Sequence, residues 1–534
     1  MSLRVLALAP PQFPHGQVGD RALSSGDPAS LFNACRSAAQ AATRGHGAWS
    51  HSNWAASRKE RRDTVLMLHS LREGLPELQK HVLALRPNLL LIGSMSVCLP
   101  GAIACARFLK AMLGDEICIV LGGRHANETM YRVAGGGVAH HPSSPLRLIH
   151  EGRIEPVFDV VVSGDGEDVV VALGELVDRV VSAGRPAADA RLELDSLRAI
   201  ARGQWIAATV ADGGIRTVLG GQVGPLARDT LPVPAEMFGV TARFGVFDGR
   251  PTGHVFSDTG RGCIYDCSFC SERRTVTGMP EELDTSAGRL FRQLERVVRV
   301  VAEDHDGAPA AAFCEDSTLL AYTPNLINQL VGRLQSAPWK IRFGGQLTID
   351  QILSRPKLLA PLREVGMEYL FLGLETMSPD EIGGMSKDVG RRRGPWVDRA
   401  ETALEILSDT GISCGVAVLF GLGEPHESRL ELIEQVGVWR KRHGFPNPIS
   451  MNWAVQHPLA GHDGGTGYRY TDWSIPPGPF MGFLRDFGEA SLVYPIAGQQ
   501  APKIDEMREV HTAICALYAD ETEPRARVEE RTGV

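Results

Sequence analysis

Lysine is scarce in this chain: of 55 basic side chains only eight are Lys, so arginine is too common for any single Arg to mark an anion site. Cysteine is sparse as well. Ten Cys in 534 residues cannot build a secreted disulfide scaffold, so their spacing carries any argument, not their number. Positive charge is not in excess: 55 basic against 63 acidic residues give a net charge of −8, which argues against broad nucleic-acid binding and leaves room only for a local basic pocket. Long apolar runs are missing too. Val5 to Ala9 is too short for the core of a signal peptide and ends at Pro10-Pro11. Leu89 to Ile92 and Ile117 to Leu121 are strand-sized, well short of the roughly twenty residues a membrane span needs. The expectation is a cytoplasmic chain with reduced cysteines and neither membrane nor nucleic acid as partner. With 43% apolar and 22% charged residues it is globular, and its length suits two to four domains of roughly 150 residues.

What is present begins with alternation. Val5–Leu8, Asn88–Gly93, Ile117–Leu121 and Phe158–Val162 are short, continuous apolar runs. The patterns between them are helical, about Gly101 to Met112 and again where Val169, Val170, Leu173, Leu176 and Val177 share one face. Continuous runs separated by helices predict a parallel sheet covered on both sides, an α/β, doubly wound, Rossmann-like domain. Such sheets bind ligands at the carboxyl ends of their strands, here Ser94, Ser96, Gly122, Gly123 and the turn Gly164-Asp165-Gly166-Glu167. That turn lacks the third glycine of a dinucleotide fingerprint, which speaks against nicotinamide. Residues 11 to 80 are less regular, with a polar, Ala-rich stretch from Ala34 to Trp54 and a helix expected from about Arg61 to Leu85.

The sharpest feature is Gly262-Cys263-Ile264-Tyr265-Asp266-Cys267-Ser268-Phe269-Cys270. Three cysteines at spacings of four and three fit on one loop. Zinc would need a fourth ligand, and no His or Cys follows at a suitable short spacing. A [4Fe–4S] cluster held by three thiolates keeps one iron open to a substrate or cofactor. The other seven cysteines, Cys35, Cys98, Cys105, Cys118, Cys314, Cys414 and Cys515, lack ligand spacing and read as packed thiols, Cys314 lying nearest the loop's chemistry.

This segment resembles the radical S-adenosylmethionine (SAM) enzymes, whose signature is three Cys in this spacing with an aromatic, here Phe269, before the third. The resemblance implies that Cys263, Cys267 and Cys270 hold a [4Fe–4S] cluster whose free iron takes SAM, and that one electron cleaves SAM to a 5′-deoxyadenosyl radical. Six strand runs follow, at His254–Asp258, Ala310–Phe313, Lys340–Phe343, Glu368–Leu372, Cys414–Phe420 and Ser450–Val455, as a partial (βα)6 barrel requires. Their ends carry Glu315, Asp316, Gln346, Glu375, Gly421, Gly423 and Glu424, which the resemblance makes SAM-binding together with Phe269. Met385-Ser386-Lys387 adds to the likeness without a derivable role.

A Rossmann-like domain ahead of such a barrel is similar to the cobalamin-binding branch of this family, its class B methyltransferases. The matching elements are Pro10-Pro11, Ser94-Met95-Ser96, Gly122-Gly123-Arg124-His125, the Gly164–Glu167 turn and the connector Asp229 to Pro234. The resemblance makes Ser94, Ser96, Gly122, Gly123, Arg124, His125, Gly164, Asp165, Gly166 and Glu167 cobalamin contacts. The Asp-x-His-x-x-Gly motif of a lower axial His is missing, as it commonly is in this branch. The implied domains are residues 1–195 (cobalamin), 196–250 (connector), 251–460 (barrel) and 461–534 (a cap that contributes to the substrate pocket, with a helix over Ile504–Tyr518). The implied activity is methylation of an unactivated carbon or phosphorus of a small molecule in specialised biosynthesis, by a monomer served by an external one-electron reductant such as a flavodoxin or ferredoxin. Two alternatives stay open: radical oxidation, dehydration or rearrangement with or without cobalamin, and a non-catalytic metal-binding module.

Overall fold

The computed structural model describes residues 3–11, 65–68, 71–453 and 503–519, apart from 96–97, 134, 201, 221–232, 241, 258–262, 268, 271, 275–282, 378–384 and 388–393. Two sheets organise these residues. The first contains β1 (Val5–Ala9), β2 (Val65–Met67), β3 (Leu89–Gly93), β4 (Cys118–Gly122), β7 (Val160–Gly164), β8 (Trp205–Ala211) and β9 (Gly214–Gly220). A small antiparallel pair, β5 (Met130–Arg132) and β6 (Val138–His140), stands beside it.

Strand order in the first sheet is β2-β1-β3-β4-β7-β8-β9, parallel as far as β7 and antiparallel beyond it. The parallel part has the doubly wound order of a flavodoxin-like domain, with its topological switch between β1 and β3. Its central strands are apolar throughout because helices cover both faces, and β1 and β3 are buried over their whole length. The helix Glu167–Ser182 buries Val169, Val170, Leu173, Leu176 and Val177 on the expected face. Each such side chain contributes about 1.5–3 kcal/mol over its exposed state.

Two expectations are corrected here. The expected helix from about Arg61 begins at Leu71, and Val65–Met67 is instead a short edge strand paired with β1. Residues 205–220, assigned by sequence to the connector, complete the first sheet as a hairpin. Its turn is Asp212-Gly213, both at positive φ (52° and 75°), the geometry a tight hairpin favours.

The second sheet is entirely parallel, in the order β10 (Thr252–Val255), β11 (Ala311–Cys314), β12 (Arg342–Leu347), β13 (Met367–Glu375), β14 (Ser413–Phe420) and β15 (Ile449–Trp453). All six expected strand runs are present, in sequence order, as a partial barrel. Outward-facing side chains meet the helices: Leu290, Leu294, Val297 and Val301 of the helix Leu283–Asp304 join the main apolar core. Inward-facing ones form a separate small cluster of Ala311, Phe313 and Tyr369, joined by Phe247 and Phe244 of the connector. These rings close the lower end of the lumen. A side chain at Gly344 would begin 3.1 Å from the Phe247 ring.

The helix Ile504–Ala519 matches the helix expected near the C-terminus. It packs along the helix His426–His443, where Glu506 pairs with Arg429 at 3.1 Å and Tyr518 Oη accepts the Ile449 N–H at 2.9 Å. Cys515, on this helix, is exposed, correcting its reading as a packed thiol; Cys98, Cys105, Cys118, Cys314 and Cys414 are buried, and Cys35 lies outside the described residues. Among the described residues no helix is long and apolar enough to cross a membrane.

Candidate active site

The cysteine loop leaves β10 and lies at the carboxyl end of the barrel. Each of its three sulfurs accepts one backbone N–H at 3.4 Å: Cys263 from Tyr265, Cys267 from Ser386 and Cys270 from Glu272. Phe269 packs with Met385, Leu419 and Leu422, so an apolar contact joins the loop to segment 385–387 and to the end of β14. Tyr265 reaches across to Thr348, with 3.3 Å between their hydroxyl oxygens.

Burial pushes the Cys270 thiol up to about 12; the neighbouring charges of Cys267 and Cys263 add to this, and Lys387 opposes it. Cys263 is raised for the same leading reason. Without a cation the Cys263 and Cys270 thiols therefore stay protonated. Three thiols within mutual electrostatic reach, each already given an N–H, are a donor set suited to iron. Among the described residues no three His, Cys, Asp or Glu side chains converge on a single metal ion.

Strand ends supply the polar groups beside the loop. Glu375, at φ +62°, ends β13 in the left-handed region, a conformation that persists only where its surroundings impose it. Its carboxylate accepts from Lys387 Nζ at 2.6 Å, and Lys387 also donates to the Gly373 carbonyl at 3.0 Å. A Cβ at Gly373 would stand 2.1 Å from that nitrogen, so a side chain there would displace the Lys387 ammonium from its present place. Gly373 and Glu375 thus form an ammonium site. Glu315 pairs with His254 Nδ1 at 2.5 Å, and the His254 ring sits edge-on to Phe244 at 5.2 Å. Gln346 lies in register with Phe371 and Gly415, one row above His254, Phe313, Gly344 and Tyr369.

Two expected SAM contacts have structural work. Asp316 is buried, and its Oδ2 accepts from the Ser257 N–H at 2.9 Å, the Ser257 hydroxyl and the Cys314 thiol at 3.1 Å. Its Oδ1 is buried with no hydrogen-bond partner among the described residues, which leaves one oxygen for a ligand. Cys314 is correspondingly inert, its thiol pushed up by burial and by Asp316. Glu424 is a correction. Its carboxylate accepts the N–H groups of Gly421 (2.6 Å) and Leu422 (2.8 Å) and the Arg429 guanidinium at 2.5 Å, so it folds its own loop and has no oxygen facing outward. Gly421 and Gly423, at φ +85° and +105°, let that loop turn.

In the first domain Ser94 is buried and donates its hydroxyl to the Met95 carbonyl at 2.9 Å. At Gly122 a Cβ would stand 3.7 Å from the Val162 carbonyl, an ordinary contact. Gly123, at φ +92°, packs so closely on Ser94 that a Cβ would stand 2.8 Å from its nitrogen. Arg124 forms an ion pair with Glu272, two residues past the last cluster cysteine. His125 is a correction: it is fully buried, with Nε2 at 3.1 Å from the Ser143 carbonyl, which commits it to the domain's interior. Asp165 Oδ2 accepts the Gln204 N–H at 2.9 Å, and a Cβ at Gly164 would strike the Gln204 carbonyl, so the residue before β8 is held against this turn while Gly164 stays exposed. Gly166 and Glu167 open the following helix, with Glu167 buried. Ser96 lies outside the described residues.

Sequence reading missed the roles of Lys387, His254 and Glu272. Met385-Ser386-Lys387 stood out without a role, and only tertiary contact brings it to the cysteines. His254, one strand residue among several, and Glu272, just past Cys270, carried no separate signal.

Residues 258–436 match the Radical SAM superfamily. The anaerobic magnesium-protoporphyrin IX monomethyl ester cyclase of Rubrivivax gelatinosus is 22% identical over 409 residues, 74% of this chain and 60% of that protein. The cyclase of the same name from Cereibacter sphaeroides is 20% identical over 332 residues, 61% of this chain and 46% of that protein. The chain thus spans 60% or less of the length of these curated relatives. Among solved structures, apo cobalamin-dependent S-adenosylmethionine radical enzyme OxsB superposes with a TM-score of 0.53 at 14% identity, over 97% of this chain and 66% of that one. The radical S-adenosylmethionine methyltransferase TsrM from Kitasatospora setae, with cobalamin and [4Fe-4S] cluster bound, gives 0.50 at 16% identity, over 97% and 89%. At such identities the likeness is one of fold. The match sets aside the alternative of a non-catalytic metal module. Residues 258–436 thus match a radical SAM domain, which implies a [4Fe–4S] cluster and S-adenosylmethionine as cofactors.

Proposed function

We propose that this chain is a cobalamin-dependent radical SAM methyltransferase acting on an unactivated carbon or phosphorus centre of a small molecule. The observation that carries the reading is the meeting of the two halves. The carboxyl edge of the flavodoxin-like sheet, at Gly122-Gly123-Arg124, touches the cysteine loop at Glu272. A ligand lying on that edge would face both the cluster and the barrel mouth. Of the expected cobalamin contacts, Ser94, Gly122, Gly123 and Arg124 lie at the carboxyl edge of the sheet, where such folds take a large ligand.

When bound, the cluster and SAM supply an electron and a 5′-deoxyadenosyl radical, and cobalamin supplies a methyl group. The protein's own residues bind and orient. Cys263, Cys267 and Cys270 are the ligand set. Glu375 and the Gly373 carbonyl receive the ammonium of the methionine moiety, which displaces Lys387 from the same site. Asp316 Oδ1, Glu315 and Gln346 offer acceptors and donors for the rest of the cofactor or the substrate. The aromatic floor of Phe244, Phe247, Phe313 and Tyr369 closes the lower end of the barrel to water, which a reactive radical requires.

Product analysis tests the reading. A methyltransferase of this kind consumes two SAM per turnover and yields 5′-deoxyadenosine and S-adenosylhomocysteine in equal amounts. A second reading, non-methylating radical oxidation or cyclisation, is favoured by the names of the cyclase relatives. It yields 5′-deoxyadenosine without S-adenosylhomocysteine.

A further inference from the structure

The one ion pair described here between the first domain and the cysteine loop is also placed to act on the cluster's charge. Arg124 stands on a rigid support. Its turn is locked by Gly123 packed against Ser94, by the His125 N–H donated to the Ser94 carbonyl at 3.0 Å, and by the Asn127 N–H donated to Gly123 at 3.2 Å. Its partner Glu272 is tied to the cluster side, since the Glu272 N–H reaches Cys270 Sγ at 3.4 Å. Both side chains are largely shielded, with 18% and 30% of their surfaces exposed, so solvent screens them poorly.

We propose that Arg124 and Glu272 form a cross-domain pair that sets the reduction potential of the cluster held by Cys263, Cys267 and Cys270. The inference rests on the radical SAM reading but not on cobalamin. The cluster becomes one unit more negative when it takes an electron from an external one-electron reductant. A cation beside Cys270 favours that reduced state, and a carboxylate beside it opposes it. Arg124, fixed to the first domain, therefore eases reduction, and Glu272 anchors Arg124 while tempering its field. Both are positioning residues.

The test is a potentiometric titration of the anaerobically reconstituted full chain, with the reduced cluster followed by electron paramagnetic resonance. Arg124→Gln is expected to shift the midpoint to more negative values and Glu272→Gln to more positive ones, with the double variant returning toward wild type. Arg124→Lys, which keeps the charge, is expected to stay near wild type. A purely structural tie would move both single variants in one direction or neither. Shifts of the same sign, or none in variants that retain the [4Fe–4S] signal, overturn the proposal. A wild-type chain that takes up no [4Fe–4S] cluster overturns the parent reading and this one with it.

Discussion

Lys387 donates to the carboxylate of Glu375 at 2.6 Å and to the Gly373 carbonyl at 3.0 Å. On the proposed reading the amino group of SAM takes this same acceptor set, so it and Lys387 compete. Glu375→Gln removes a charge-assisted hydrogen bond of about 1.5–3 kcal/mol, which weakens SAM binding by roughly ten- to a hundredfold. Lys387→Met removes the competitor and tightens SAM. Equilibrium dialysis on the reconstituted protein reads both changes, and weaker binding in Lys387→Met would contradict the competition.

Replacing any one of Cys263, Cys267 or Cys270 by Ala removes a cluster ligand. Iron and sulfide content after reconstitution falls, and reductive cleavage of SAM to 5′-deoxyadenosine is lost, with far-ultraviolet circular dichroism unchanged. Retention of a full cluster in Cys263→Ala would show that the three thiols are not the ligand set.

Glu424 acts on the fold. Its carboxylate holds two loop N–H groups and the buried guanidinium of Arg429. Glu424→Ala leaves that charge buried with its main partner gone, a loss of about 3–5 kcal/mol. Thermal unfolding is expected to begin at a clearly lower temperature. An unchanged transition accompanied by weakened SAM binding would return Glu424 to the cofactor.

Much of this architecture was legible because it rests on local chemistry. Ten apolar runs became ten strands, and the faces of the helices 167–182 and 283–304 were readable from spacing alone. The hairpin 205–220 was not read from the sequence: β8 is buried over five consecutive residues and β9 is half-buried throughout most of its length, so neither shows the alternation that marks a strand. Three-residue Val65–Met67 carries too little periodicity to separate from a helix. Among site residues, the cysteines declare themselves by spacing. The pairs Lys387–Glu375 and Arg124–Glu272 do not, because each is made by chain segments that only folding brings together. Glu424 and Asp165 sit at strand ends, as cofactor acids do, but satisfy backbone N–H groups of neighbouring loops.

Thiol reactivity separates the remaining cysteines. Burial pushes Cys105 up to about 12 and raises Cys118, Cys314 and Cys414, so their thiolates are suppressed at neutral pH. Brief alkylation of the folded, cluster-loaded chain is expected to modify exposed Cys515 and to spare these four, as read by peptide mass spectrometry. Early labelling of Cys314 would mean that the end of β11 opens in the native state.

The central claim is that the front domain carries cobalamin against a radical SAM cluster. Its most direct measurement is the cobalt, iron and sulfide content of the full chain, reconstituted anaerobically with cobalamin and desalted, together with the absorbance spectrum. One cobalamin and one [4Fe–4S] cluster per chain is the expected result. A full cluster with no retained cobalamin would contradict the claim.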